Sequence, residues 1–280
     1  MTSPNANGPI GFFDSGVGGL SVWREAVKLL PSESTVYLAD RAHCPYGPRP
    51  REELERFCRA NTEILLRRGC KLVVVACNTA TAAAIDALRS SGYPVGFVGM
   101  EPAVKPAALA SKTGVVGVLA TAGTFKGRLY RETSRRFADR ARILVREVKG
   151  WVEAVERGDV RPTPEVRRLV RREIQPLLDE DADSLVLGCT HFPFLRQAID
   201  LEISESARRE VRVYDPAPAV ARQIKAVLER DGLVLENAAP GAVRHFMLST
   251  GEAFALPDGL GIGTDCQVGF ETLVVDEGGD

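Results

Sequence analysis

Two short stretches of this chain carry residue types arranged for proton chemistry. Leu72 to Thr81, LVVVACNTAT, runs branched apolar residues into a small residue, a cysteine and an Asn-Thr pair. Ser184 to Pro193, SLVLGCTHFP, repeats the plan, with Gly188-Cys189-Thr190-His191 matching Ala76-Cys77-Asn78-Thr79. An apolar run without polar alternation reads as a strand buried on both faces, as inside a parallel sheet. Each cysteine therefore ends a strand just before a helix start, where the positive end of the helix dipole is expected to lower the thiol's pKa. Asn78 and Thr79 are expected to cap the Ala-rich helix that follows, through Leu88. Two such thiols, one from each half of the chain, can face each other across a cleft. That is the geometry for taking a proton from one face of a carbon and returning one to the other.

The other cysteines have a plainer reading. Free cysteine is among the most often buried residue types and behaves as a small hydrophobe. Cys44, Cys58, Cys70 and Cys266 are read that way, whereas Cys77 and Cys189 form a matched pair with polar followers. His191, two positions after Cys189, is placed to activate that thiol as a neighbouring base. Asp14-Ser15-Gly16-Val17-Gly18-Gly19 follows a short apolar strand, Pro9 to Phe13, and its glycines suit positive φ and a close backbone approach to a ligand. Gly16-x-Gly18, with Asp40 ending a second strand, partly imitates a dinucleotide fingerprint, but Ser21 stands where the third glycine belongs. Asp14 suits capping of that turn equally well, and Thr121 and Thr124 suit helix capping as well as ligand contact.

The elements that must position these groups alternate strand and helix. After the glycine turn come a helix from Leu20, a strand from Thr35 to Asp40, a proline-rich loop RAHCPYGPRPR and an amphipathic helix from Arg51 to Arg68. A strand from Val95 to Met100 follows the first cysteine unit, and a second cycle begins at Thr113 with a strand, Gly114 to Ala120. Further helices are expected at 126–138, 151–158, 165–179, 194–199 and 217–230, with strands at 142–148, 211–214 and 243–250. Alternation of this kind builds a doubly wound α/β architecture. At 280 residues with 45% apolar content, two modest domains fit. A formal net charge of −1 gives no field favouring nucleic acid, and no apolar run approaches a membrane span. Nothing in MTSPNANGPI reads as a targeting segment, so a soluble cytoplasmic protein is expected.

With these residues in place, the chain resembles the glutamate racemases of the aspartate/glutamate racemase superfamily. FDSGVGGLSV (13 to 22), CPYGPR (44 to 49), ACNTATA (76 to 82), EPAVKPA (101 to 107), GVLATAGT (117 to 124), VERG (155 to 158) and GCTHFP (188 to 193) carry the resemblance in order and spacing. It implies two pseudo-symmetric doubly wound α/β domains with the active site in the cleft between them. One would comprise residues 8–99 plus 212–280, the other 100–211. It implies that Cys77 and Cys189 are the two bases, the first acting on D-glutamate and the second on L-glutamate. Asp14 and His191 would assist them, and Glu156 would support the histidine. Ser15, Asn78, Thr79, Thr121, Thr124 and Thr190 would bind the substrate's α-amino and α-carboxylate end, and Pro45, Tyr46 and Gly47 its side-chain carboxylate. No cofactor and no metal is expected, the substrate is a small amino acid, and a homodimer supplying D-glutamate for peptidoglycan is the implied setting.

Three positions depart from the pattern. His43 replaces a usual arginine, Pro216 a usual serine after Asp215, and Val148-Lys149 a common Cys-Pro pair. They bear on regulation and substrate fit more than on reaction type. Rival readings are a racemase of the same superfamily acting on aspartate or hydantoin, a one-cysteine decarboxylase or isomerase, a nucleotide-binding regulator using the Gly16 turn, and a zinc site of Cys77, Cys189 and His191. No lysine stands beside a phosphate-binding glycine loop, which argues against pyridoxal phosphate.

Overall fold

The structure, a computed structural model, describes residues 5–239, 242–252 and 267–273. Cys266 lies outside the described residues. In chain order the elements are β1 (Ile10–Asp14), α1 (Leu20–Leu29), β2 (Thr35–Ala39), α2 (Arg51–Arg67), β3 (Leu72–Val75), α3 (Asn78–Ser90), β4 (Gly96–Gly99) and α4 (Val104–Ala110). Then come β5 (Val115–Ala120), α5 (Ala122–Phe125), α6 (Arg128–Arg136), β6 (Arg142–Glu147), α7 (Trp151–Glu156), α8 (Pro164–Asp179) and β7 (Ser184–Gly188). Last among the described residues come α9 (Arg196–Ser206), β8 (Arg212–Tyr214), α10 (Ala217–Arg230), β9 (Arg244–Thr250) and β10 (Gln267–Leu273).

The strands form two sheets, a six-stranded one in the order β10-β9-β2-β1-β3-β4 and a four-stranded one in the order β6-β5-β7-β8. All the pairings are parallel. Parallel strands need crossovers, and the helices that supply them cover both faces, so every residue of β1, β2, β3, β5 and β7 is buried. Neighbouring residues of a strand enter opposite layers, as the strand period of two requires. Phe12 packs with Leu20, Trp23 and Ile224, whereas Phe13 packs with Leu54, Leu65 and Ala84. In the second sheet Leu119 and Leu185 meet the α8 side chains Val170 and Ile174, and Val116 and Val186 meet Val104 and Ala107 of α4. One of these cores runs without a break from the first sheet's layer into the second's.

One boundary and one element differ from the expected ones. Residues 212–214 were expected to begin the return to the first unit, but β8 hydrogen-bonds β7 in register Ser184 to Arg212, so the chain leaves the second sheet only after Tyr214. α10, which packs on α1, is the first element back. Helix α4, VKPAALA with Pro106 inside it, was not among the expected elements. Proline is tolerated there because it occupies the first turn, where no intrahelical partner for its missing N–H is required. Among the described residues no helix is long and apolar enough to cross a membrane.

Candidate active site

The topology marks where a ligand belongs. In an open α/β sheet it is the crevice beyond the strands' carboxyl ends, where strand order reverses. In the first sheet the order reverses between β1 and β3, whose ends deliver Asp14 and Cys77. In the second it reverses between β5 and β7, which deliver Thr121 and Cys189. The two reversal points open on one cavity of about 270 Å³ lined by both cysteines.

Cys77 is itself the N-cap of α3, with φ −135° and ψ 124°, and its Sγ accepts the Ala80 N–H at 3.5 Å. Asn78 and Thr79, expected as caps, instead lie inside the first turn. Both polar side-chain atoms of Asn78 and the hydroxyl of Thr190 are buried without a protein hydrogen bond. Leaving such groups unsatisfied costs about 1–3 kcal/mol each, so they read as sockets for a ligand's polar atoms. The expected lowering of the Cys77 pKa is overturned. Burial pushes the thiol well above its ordinary range, and the neighbouring Asp14 carboxylate pushes the same way, outweighing the Ala80 N–H. Cys77, 5% exposed, therefore rests as a thiol.

Around Cys189, 8% exposed, the charges differ. Its Sγ lies 3.8 Å from His191 Nδ1, and His191 Nε2 lies 2.7 Å from Glu156 Oε1. Burial alone would depress the imidazole, but hydrogen bonds to Cys189 and Glu156 outweigh it and raise its pKa well above 6.5. Glu156 is the converse case. Burial would raise it, but the His191 contact, the Val17 N–H at 2.7 Å and Arg41 at 3.5 Å hold it below its ordinary value. Asp14 accepts the Gly19 N–H on Oδ2 at 2.7 Å, and its Oδ1 has no hydrogen-bond partner. Burial raises its pKa, against opposing pulls from His191, the Gly19 N–H and Cys77.

The glycine turn serves a purpose other than the expected one. Neither Gly16 nor Gly18 has positive φ. A Cβ on Gly16 would lie 1.9 Å from Glu156 Oε1, and one on Gly18 would lie 2.3 Å from His191 Nδ1. The missing side chains let Glu156 and His191 of the second half seat against the first. That space is filled by protein, so the turn is not a phosphate cradle.

Of the expected site residues, Ser15, Pro45, Tyr46, Gly47, Cys77, Asn78, Thr79, Thr121, Cys189, Thr190 and His191 line the cavity. Asp14, Glu156 and Thr124 stand behind it. The Thr79 and Thr121 hydroxyls, from opposite halves, lie 2.8 Å apart, and Thr124 backs Thr121 at 3.2 Å. Tyr46 is pinned by donating its hydroxyl to Asp40, which also accepts from Thr250 at 2.7 Å and pairs with His43 at 2.8 Å. Glu147, Val148, Lys149, Val152 and Glu153 also line the cavity and were not expected site residues, although the Val148-Lys149 departure had been tied to substrate fit. The strand-end rule applied to β6 would have found the first three. Among the described residues no group of three or more His, Cys, Asp or Glu is disposed to hold a metal ion.

The sequence profile of the Asp/Glu/Hydantoin racemase family matches residues 18–224. The chain belongs to the Asp/Glu/Hydantoin racemase family. Among its relatives in that family, the glutamate racemase of Methylococcus capsulatus is 48% identical over 233 residues, covering 83% of this chain and 84% of the relative. That of a Roseiflexus species is 44% identical over 248 residues, covering 88% and 89%. Among solved structures, a glutamate racemase isoform from Bacillus anthracis superimposes with a TM-score of 0.81 at 30% identity, over 96% of this chain and 98% of that one. Escherichia coli glutamate racemase, in complex with L-glutamate and an activator, UDP-MurNAc-Ala, gives a TM-score of 0.73 at 34% identity, over 86% and 89%.

Proposed function

We propose that this chain interconverts L- and D-glutamate without a cofactor, by a two-base mechanism in which Cys77 and Cys189 serve opposite faces of the α-carbon. One observation carries the reading: two sulfurs, each at the strand-order reversal of a different sheet, border one small cavity whose walls hold unsatisfied polar atoms. The many relatives named glutamate racemase support the choice of acid. The two sheets are read as two domains with the substrate between them.

In the forward step the Cα–H bond breaks, its proton passes to one cysteine thiolate, and the electron pair delocalises into the α-carboxylate. The opposite thiol then donates its S–H proton to the other face of Cα. The sulfurs exchange protonation states, and Asp14 and His191, beside them, return the proton balance to its starting point. An α-proton is far less acidic than a thiol, so the barrier depends on stabilising the developing charge. Asn78, Thr79 and Thr190, all buried, act there as preorganised donors. His191, held protonated by Glu156, presents a cation beside Cys189, and such a neighbour stabilises negative charge on sulfur. Ser15 holds the α-ammonium, with the Asp14 carboxylate behind the cavity wall adding a favourable charge, and the Pro45-Tyr46-Gly47 loop receives the side-chain carboxylate.

The same reading places the enzyme in the cytoplasm, as a homodimer that supplies D-glutamate for peptidoglycan. Loss of optical rotation, followed separately with L-glutamate, D-glutamate, L-aspartate and D-aspartate, tests the substrate. Both glutamate enantiomers are expected to decay to zero rotation while the aspartates persist. Turnover of aspartate alone would overturn the assignment.

A further inference from the structure

The cavity wall contributed by the β6–α7 corner carries three charged residues, Glu147, Lys149 and Glu153. Among the described residues lining the cavity, Lys149 is the only lysine or arginine. Its side chain is 82% exposed, and its Nζ stands 4.0 Å from Glu147 Oε1. Its backbone is held in place, because its carbonyl accepts a hydrogen bond from Arg172 at 3.1 Å and the next residue, Gly150, takes a φ of 86°. The ammonium is thus a solvated charge on a flexible stem, anchored at the rim of the site.

Electrostatics gives this cation a task. Glutamate carries two carboxylates and one ammonium, so it arrives with net charge −1. Without Lys149 the β6–α7 corner would offer it two carboxylates and no cation, the cavity's other cation, His191, being buried at 1% exposure. Like charges at a narrow opening with low-dielectric walls lower the local concentration of an anionic solute, and a cation there raises it. We infer that Lys149 is a specificity-determining residue that admits and holds an acidic amino acid at the rim, offsetting Glu147 and Glu153. The inference rests on the glutamate reading above and adds to it the residue that favours an acidic over a neutral side chain. Lysine suits the role because a mobile point charge can follow a substrate inward without a fixed bidentate geometry.

Steady-state racemisation of glutamate by wild type, Lys149→Met, Lys149→Glu and Lys149→Arg, at about 20 mM and about 500 mM salt, tests this, because exposed charges are largely screened at the higher value. At low salt kcat/KM is expected to fall about threefold in Lys149→Met and about tenfold in Lys149→Glu, carried by KM and not by kcat, a size set by single-charge interactions in a watery rim. Lys149→Arg should restore it, and high salt should close the gap. Calorimetric binding of D-glutamate and D-glutamine to Cys77→Ser/Cys189→Ser protein, with and without Lys149→Met, reads the same cation without turnover. The preference for glutamate over glutamine should shrink about threefold. Unchanged KM in Lys149→Glu together with an unchanged preference in Lys149→Met would overturn the inference, as would a loss that persists at high salt. Glutamate binding that depends on Lys149 in a chain that racemises nothing would sink the catalytic reading alone. A wild-type chain that binds no glutamate would sink both.

Discussion

Glu156 puts a single carboxylate oxygen on two groups, the Val17 N–H and His191 Nε2, each 2.7 Å away. The contact between them helps to hold the Glu156 pKa low and, beside the Cys189 hydrogen bond, the His191 pKa high, and the pH dependence follows from their signs. Glu156, depressed from 4.5, contributes stability that is present above that value and is lost as pH falls through its folded pKa. His191, raised above 6.5, contributes stability present below that value and lost as pH rises through its folded pKa. Urea denaturation of wild type and Glu156→Gln should therefore differ most from pH 4.5 to 6.5, the difference shrinking below 4.5 and falling above 6.5 until His191's raised pKa is passed. In kcat/KM the same variant should lose about 10- to 100-fold, in the range of a weakened acid–base group, and its alkaline limb should move to lower pH. An unmoved limb would separate Glu156 from the proton chemistry. At this scale the cysteines and His191 were legible from residue type and spacing, whereas Asn78 and Thr79 were read from type as caps and as substrate contacts only from the resemblance. Glu156 was not legible. It is one acid among many on helix surfaces, and only the family resemblance singled it out, because its partners are far away in sequence.

Helix starts and strand ends do the positioning, and the sequence showed where they fall better than what each residue does there. Cys77 replaced Asn78 and Thr79 as the cap of α3, because its backbone is the last to stay extended. Cysteine is a weak acceptor and is seldom read as a cap. Its substitution by serine keeps a good cap, so Cys77→Ser should fold normally while removing the base. The glycine turn was located correctly but explained wrongly, since what it accommodates is the side chains of a distant element. Gly18→Ala tests the correction. The added carbon, 2.3 Å from His191 Nδ1, must push the imidazole off Cys189. A loss of activity of at least about tenfold is expected, with a stability loss of about 1–3 kcal/mol typical of overpacking and unchanged far-ultraviolet circular dichroism. Wild-type activity in Gly18→Ala would mean that the His191 position is not needed.

For the molecule as a whole, the alternation of strands and helices made a doubly wound fold legible, and the repeat of the cysteine unit pointed to two matched halves. The order of strands was not legible, because sheet order is decided by long-range burial and not by local pattern. The displaced boundary at β8 has the same cause, as do the buried Lys71–Glu33 ion pair and the Lys71 contacts that tie the segment at Ala6 and Leu233 to β3. What the architecture accomplishes is to bring two strand-order reversals, and with them two sulfurs, to one cavity. The most direct test is incorporation of solvent deuterium at the α-carbon, followed by NMR in heavy water for wild type, Cys77→Ser and Cys189→Ser. Wild type should place deuterium in the product enantiomer from the first turnovers, and each single variant should lose racemisation. Full racemisation by either variant would contradict a base on each side of the carbon.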